Sequence, residues 1–161
     1  MEDSPKDARK SLDDIDRAIL KILAEDGRRP VAQIAEAVGL SETPCARRIR
    51  QMESAGVIRG YAADIDPVAV DRTVSIFVFV QLNDSFDAHF DDFIMAVEKI
   101  EEVQSLHFLA GEKDFLLLVR LPHIGDLERF HREHIGAMKS VRSFQSVVGI
   151  REIFNRRGLS F

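Results

Sequence analysis

Residues 74–82, VSIFVFVQL, carry apolar side chains on both faces of a predicted β-strand. Side chains alternate along a strand, so Val74, Ile76, Val78, Val80 and Leu82 share one face, and Phe77 and Phe79 share the other. A strand with one solvated face would alternate apolar with polar residues. The chain must therefore form a sheet in which neither face is left to water.

Helical and strand patterns alternate through the rest of this half of the chain. Helical periodicity covers residues 86–101 and 124–139, and strand patterns cover 103–110, 114–121 and 143–154. The three-residue turn GEK predicts a hairpin between the second and third strands. The order βαββαβ predicts a ferredoxin-like domain over residues 74–155, in a chain of the α+β class.

The strand 114–121, DFLLLVRL, is also apolar on both faces. Helices of the same domain cover only one face of such a sheet, so we expect the other face to meet a second copy of the chain. We assign Phe77, Phe79, Phe115 and Leu117 to this homodimer interface. The alternative is a face partly covered by the tail or by the first half of the chain.

The first half of the chain predicts short helices separated by glycine turns. Asp13 is placed to cap the first helix, Pro30 permits a second start, and Ser41 is placed to cap the third helix, which Gly56 ends. This arrangement is typical of a helix-turn-helix. The following VIRGYAADID has a strand-like pattern that predicts a wing.

These patterns divide the chain into segments. Residues 1–11 are polar and predicted to be disordered, 12–66 form the winged helix-turn-helix domain, and 67–73 form a linker. The ferredoxin-like domain and a tail at 156–161 follow. No signal peptide or membrane-spanning run is visible, so we expect a cytoplasmic protein with no membrane partner.

The third predicted helix contains a basic block in an acidic chain. The formal net charge is −5, yet residues 27–60 carry six arginines and three glutamates. Helical geometry places Cys45, Ile49 and Met52 on one side, which predicts a packed face with Cys45 as an apolar core residue. A catalytic or metal-binding role for this single cysteine is the weaker interpretation.

The opposite side of this helix carries Thr43, Arg47 and Arg50, with Arg48 beside them. An arginine face is often only a solvated face, but the third helix of a helix-turn-helix enters the DNA major groove. Arginine binds guanine or phosphate there, and hydroxyls at a helix start bind phosphate. The predicted contacts with double-stranded operator DNA are Ser41, Glu42, Thr43, Pro44, Arg47, Arg48 and Arg50.

The run S-x-T-P-C-x-R-R-I, followed by M-E-x-x-G-V-I-x-G-Y, resembles the DNA-binding domain of the Lrp/AsnC, or feast/famine, transcriptional regulators. The second half is similar to the effector domain of that family. Arg29, Pro30 and Glu42 depart from the usual pattern at the helix starts. The resemblance implies dimers that assemble into larger oligomers, and allosteric control by an amino acid.

The segment LAGEKDFLL (109–117) resembles the family signature V-T-G-x-Y-D-x-L-L. Gly111 suits a tight turn or a close ligand, and Asp114 suits an ammonium group, although both residues also commonly shape turns. Ala110 and Lys113 replace the usual threonine and aromatic residue. The resemblance implies a small-effector pocket at a subunit interface, formed by His107, Leu109, Ala110, Gly111, Glu112, Lys113 and Asp114.

Rival functions fit the residues less well. Sirohaem decarboxylases share the two-domain architecture, and an enzyme of that class would use His107 and nearby arginines for catalysis. It would have no use for the aligned arginines of the third helix. His131 and His134 have a metal-binding spacing but also fit a surface helix, and an amino-acid storage module would leave the basic helix idle. We therefore expect no enzyme activity, no cofactor and no metal.

Overall fold

The structure is a computed structural model that describes residues 12–83 and 86–155. The chain divides into two compact units, with the first division after Asp64 and the second unit spanning Ile65–Ile153. Among the described residues no helix combines the length and the apolar character needed to cross a membrane.

The first unit contains helices α1 (Asp14–Glu25), α2 (Val31–Ala37) and α3 (Glu42–Ser54). Asp13 caps α1 as the sequence predicts, since its side chain accepts a hydrogen bond from the Asp16 backbone. Gly39 and Gly56 follow α2 and α3 with φ angles of 70° and 68°, a left-handed conformation that favours glycine. The buried residues that join these helices are Ile19, Ile34, Ala35, Cys45, Ile49 and Met52.

The predicted wing is wrong, because residues 57–66 pair with no strand in the described parts of the chain. Tyr61 instead donates a hydrogen bond of 2.9 Å to Glu53 Oε1. Its ring lies against the turn after α1, where a Cβ atom on Gly27 would be 3.2 Å from Tyr61 Cδ1. Partial burial and the Glu53 carboxylate raise the pKa of Tyr61 to about 12. The segment thus folds back onto the helices rather than forming a hairpin.

The second unit contains β1 (Val74–Leu82), α4 (Phe86–Val97), β2 (Val103–Phe108), β3 (Phe115–Leu121), α5 (Asp126–Phe130) and β4 (Val141–Gly149). The strands lie side by side in the order β2-β3-β1-β4, and each pair is antiparallel. This order confirms the ferredoxin-like βαββαβ arrangement. A π-helical turn at His131–Ile135 extends α5, which the sequence pattern did not reveal.

The assignment of Phe115 and Leu117 to the open face of the sheet is wrong. In the β1–β3 register Val80 lies opposite Phe115 and Val78 opposite Leu117, so all four side chains share the helix-covered face. Phe115 is 1% exposed and Leu117 is fully buried. The large apolar residues that β1 and β3 present on the open face are Phe77 and Phe79 with Leu116 and Leu118.

β4 is shorter than the predicted strand 143–154, beginning at Val141 and ending at Gly149. Gly149 pairs with Ser75, one residue from the beginning of β1. Residues 150–155 therefore lie beyond the end of the strand with which they would pair. Their apolar side chains explain why the sequence pattern continues after the ladder has ended.

Candidate nucleic-acid interface and effector loop

The solvent-facing side of α3 carries Thr43, Arg47 and Arg50, and all three residues are exposed. On the packed side Cys45 is fully buried, which confirms the predicted division of this helix. Burial raises the pKa of the Cys45 thiol, so the group stays protonated and behaves as an apolar core residue. The helix is therefore held by one face and presents two arginines on the other.

The beginning of α3 has a feature suited to an anion. Ser41 occupies the N-cap position with extended backbone, yet its side chain makes no capping hydrogen bond within the described chain. Ser41, Glu42 and Thr43 are exposed, whereas Pro44 is half-buried and lacks a backbone N–H group. Backbone N–H groups of a first helical turn have no intrahelical partner and can bind phosphate.

Arg48 does not share the exposed position of Arg47 and Arg50. Its Nη1 atom lies 2.8 Å from Asp13 Oδ2 and 2.8 Å from Asp16 Oδ1, both at the beginning of α1. Because the Arg48 guanidinium faces two carboxylates, it adds no net positive charge to the exposed side of α3. Hydrogen bonds from Asp16 and Arg48 lower the pKa of Asp13, and the two aspartates raise the pKa of Arg48.

In the candidate effector loop, Asp114 forms hydrogen bonds that hold the loop against the neighbouring strand. Its Oδ2 atom accepts a hydrogen bond of 2.7 Å from the Leu82 backbone, and its own backbone N–H donates to the Val80 carbonyl at 2.9 Å. Its backbone carbonyl accepts from the Leu109 N–H at 2.8 Å. Asp114 thus fastens the hairpin to the end of β1, which the sequence could not distinguish from a ligand role.

Gly111 is not required by the turn itself. Its φ is outside the left-handed range, and a Cβ atom built there would meet no heavy atom of the described residues within 4 Å. Lys113 Nζ lies 3.4 Å from Glu112 Oε1, and the Glu112 side chain is 85% exposed. The loop therefore has open space beside Gly111. It also has a lysine, Lys113, whose ion-pair partner Glu112 is largely exposed to solvent.

His107 and Ala110 are exposed, and Leu109 is half-buried. His107 lies opposite Leu116 in the β2–β3 register, so it belongs to the open face of the sheet. The sequence placed His107 beside the loop, and the structure adds that the same residue borders the predicted dimer interface.

Two features of the second unit escaped the sequence analysis. A groove of about 500 Å³ lies between α4 and β2, lined by apolar residues that include Ile94, Leu106 and Phe108. On the open face, Arg120 is only 16% exposed and its guanidinium contacts Ser75 Oγ, Gln104 Oε1 and Glu152 Oε2. An arginine among leucines on a strand is the sequence signal that could have identified the second feature.

The His131 side chain forms a hydrogen bond with a residue of the neighbouring strand β4. Its Nε2 atom lies 2.7 Å from Ser146 Oγ on β4, and burial lowers its pKa. The residues that the structure describes contain no group of three or more His, Cys, Asp or Glu side chains arranged to hold a metal ion.

A helix-turn-helix with an exposed arginine face, followed by a ferredoxin-like sheet domain, defines a two-domain DNA-binding regulator. A family model described as the AsnC-type helix-turn-helix domain matches residues 12–53, and one described as the Lrp/AsnC ligand binding domain matches residues 75–159. The leucine-responsive regulatory protein of Escherichia coli (strain K12) is 37% identical over 153 residues, covering 95% of this chain and 93% of that protein.

Solved structures show the same similarity. An AsnC family transcriptional regulator from Agrobacterium tumefaciens is 36% identical with a TM-score of 0.86, covering 92% of this chain and 97% of that chain. A transcriptional regulator from Neisseria meningitidis, in complex with L-methionine, is 34% identical with a TM-score of 0.88, covering 93% and 97%. A feast or famine regulatory protein from M. tuberculosis, complexed with L-methionine, is 36% identical with a TM-score of 0.84, covering 92% and 99%.

The chain belongs to the Lrp/AsnC family of transcriptional regulators. Family membership confirms the function predicted from the sequence, and the sirohaem-decarboxylase-like alternative is discarded.

Proposed function

We propose that this regulator binds double-stranded operator DNA through the exposed face of α3, with Arg47 and Arg50 as the principal contacts. The observation that carries the proposal is the opposition between this face and the buried Cys45 on the same helix. An arginine held on a rigid helix can reach a base edge, while Thr43, Ser41 and the first-turn N–H groups bind phosphate. Glu42 and Pro44 shape this helix start.

The test is the affinity of the full chain for operator fragments, selected from random DNA and measured by fluorescence anisotropy at several salt concentrations. If Arg47 reads a base, Arg47→Ala should cost about 1–3 kcal/mol on the selected sequence and less on unrelated DNA. Arg17→Ala is the matched control, since Arg17 is an exposed arginine of α1 outside the proposed face. Equal affinity of wild-type and Arg47→Ala would refute the assignment.

For the second domain, we propose that a small effector, an amino acid, binds at the loop 109–114 with His107 nearby. Support comes from the ligand-binding family model that spans this loop and from the two relatives crystallised with L-methionine. Gly111 leaves open space at the loop, and the remaining contacts would come from Leu109, Ala110, Glu112 and Lys113. Asp114 contributes by fixing the loop on β1.

A thermal-shift screen against the twenty amino acids tests the effector site. A ligand present at 100 times its Kd stabilises the folded state by about 2.7 kcal/mol, which is readily detected. Gly111→Leu is the sharp variant, because a Cβ atom there meets no described heavy atom within 4 Å, while the added side chain would occupy the space proposed for the ligand. A shift that survives in Gly111→Leu would place the effector elsewhere.

We also propose that the chain forms a homodimer through the open sheet face, and that dimers assemble further. Exposed apolar residues on that face support a partner, with Phe77 38% and Val147 46% exposed in the single chain. Effector binding at a subunit interface would then change how many α3 helices meet DNA together. We place the functional division at 12–66, 67–73 and 74–155, and the protein in the cytoplasm, where operator DNA and free amino acids occur together.

A further inference from the structure

Arg48 lies between two residues of contrasting position on α3, the exposed Arg47 and the buried Ile49. The Arg48 side chain is 28% exposed, and it contacts Asp13 and Asp16 through one nitrogen, with both distances at 2.8 Å. Asp16 is the more enclosed partner, with its side chain 14% exposed. An arginine that belonged only to a solvated helix face would extend into water. Arg48 instead contacts two carboxylates of another helix segment.

The two carboxylates are held in place independently of Arg48. Asp13 Oδ1 accepts from the Asp16 backbone at 2.8 Å, and Asp16 Oδ2 accepts from the Asp13 backbone at 3.3 Å. This reciprocal capping box uses one oxygen of each aspartate. The other oxygen of each, Asp13 Oδ2 and Asp16 Oδ1, faces Arg48 Nη1. The cap of α1 is therefore a preformed acceptor for a side chain of α3.

The buried face of α3 decides which side of the helix packs inward, but apolar contacts are non-directional and leave the finer rotation about the helix axis less strictly fixed. A charged hydrogen bond to fixed oxygens is directional and supplies that constraint. Rotation of α3 decides where the adjacent Arg47 and the nearby Arg50 point. The contact from Arg48 to α1 thus sets the direction of the side chains on the DNA face.

We infer that Arg48 is a positioning residue, which orients α3 for DNA through the Asp13–Asp16 cap of α1, and is not itself a DNA contact. The inference rests on the proposed role of Arg47 and Arg50, and it removes Arg48 from the set of DNA contacts expected from the sequence. It also assigns a DNA-binding consequence to two acidic residues that are not on α3.

The decisive variant is Asp13→Asn combined with Asp16→Asn in the full chain. Asparagine is as good an N-cap as aspartate, so α1 keeps its cap while the acceptors for Arg48 lose their charge. If Arg48 binds phosphate, removing two negative charges beside it should tighten DNA binding. If Arg48 positions α3, binding to the selected operator should weaken by about tenfold, part of the roughly 5- to 150-fold effect of one lost base contact.

Salt dependence separates a positioning role of Arg48 from a direct phosphate contact. Each lost phosphate contact lowers the slope of log affinity against log salt by about 0.9. Arg48→Ala should weaken operator binding with an unchanged slope, and Arg48→Lys should recover part of the affinity by restoring a cation opposite the cap. Arg47→Ala is the control from the exposed face.

The outcomes separate this inference from the proposed function. Tighter or unchanged binding in the double asparagine variant, or a slope lowered by about 0.9 in Arg48→Ala, overturns the positioning role while Arg47→Ala remains impaired. Full affinity in Arg47→Ala would instead refute the α3 interface and this inference with it. A lower melting temperature in Arg48→Ala with full operator affinity would show that the contact only stabilises the fold, which also overturns the inference.

Discussion

Phe77 and Phe115 allow the two faces of the sheet to be tested with the same substitution, phenylalanine to alanine. Phe115 is 1% exposed, and its ring centroid lies 4.8 Å from that of Phe93 and 5.4 Å from that of Phe90. Phe115→Ala should therefore lower the free energy of unfolding by about 3–5 kcal/mol, the usual cost of emptying a core position.

Phe77→Ala should act on association instead. A phenylalanine buries about 200 Å² when fully covered, so the 38% exposed in the single chain is roughly 75 Å² available to a partner. At about 25 cal/mol per Å² this is about 2 kcal/mol per subunit and about 4 kcal/mol for a symmetric dimer. The dissociation constant of the proposed dimer should rise by roughly a thousandfold.

Sedimentation equilibrium over a range of protein concentrations measures the dissociation constant, and urea unfolding at one fixed concentration measures stability. A dimer stabilises its own fold by mass action, so the two measurements must be compared at the same concentration. The reasoning would be refuted if Phe77→Ala left the dissociation constant unchanged, or if Phe115→Ala weakened association while leaving the unfolding of the isolated subunit as it was.

Three further substitutions test individual contacts. Gly56→Ala should destabilise the first unit by about 1–3 kcal/mol in thermal unfolding, because its φ of 68° strains any residue with a Cβ atom. Asp114→Ala should cost about 1.5–3 kcal/mol in urea unfolding, since the Leu82 N–H loses a charged acceptor, whereas Asp114→Asn retains an acceptor and should cost less. Burial lowers the pKa of His131, so the unfolded chain binds more protons below the ordinary value of 6.5. Stability should rise with pH from that lowered pKa up to about 6.5, and His131→Gln should remove this rise.

The sheet was predictable in type but not in orientation. β1 and β3 are apolar on both faces, so alternation alone assigns residues to two faces without saying which face the helices cover. Phe115 was placed with Phe77 for this reason. Only the pairing of Phe115 with Val80 settles the matter, and that pairing depends on the hairpin and on the long connection from β1 to β3.

The candidate DNA-binding helix shows a similar limit. Helical periodicity separates Arg47 from Cys45 correctly, because both positions depend on one local repeat of 3.6 residues. Arg48 sits at the edge of the exposed face, where the repeat gives no decision. Its partner Asp13 is 35 positions away in the chain, a separation at which no local pattern operates. The wing was predicted from a local strand-like pattern, and that pattern does not reveal that Tyr61 hydrogen-bonds to Glu53 and packs against Gly27.

The position of β1 in the middle of the sheet has a consequence for synthesis of the protein. β1 is the first of the four described strands to be made, and its neighbours are β3 and β4, which are made after β2. The helices of the first unit lie wholly ahead of these strands in the chain, and helical units with local contacts fold fast. The three helices of the first unit are therefore made before any strand, while one long edge of β1 has no partner until Val141–Gly149 is made. Synthesis of β4, rather than any earlier step, therefore covers the last open edge of β1.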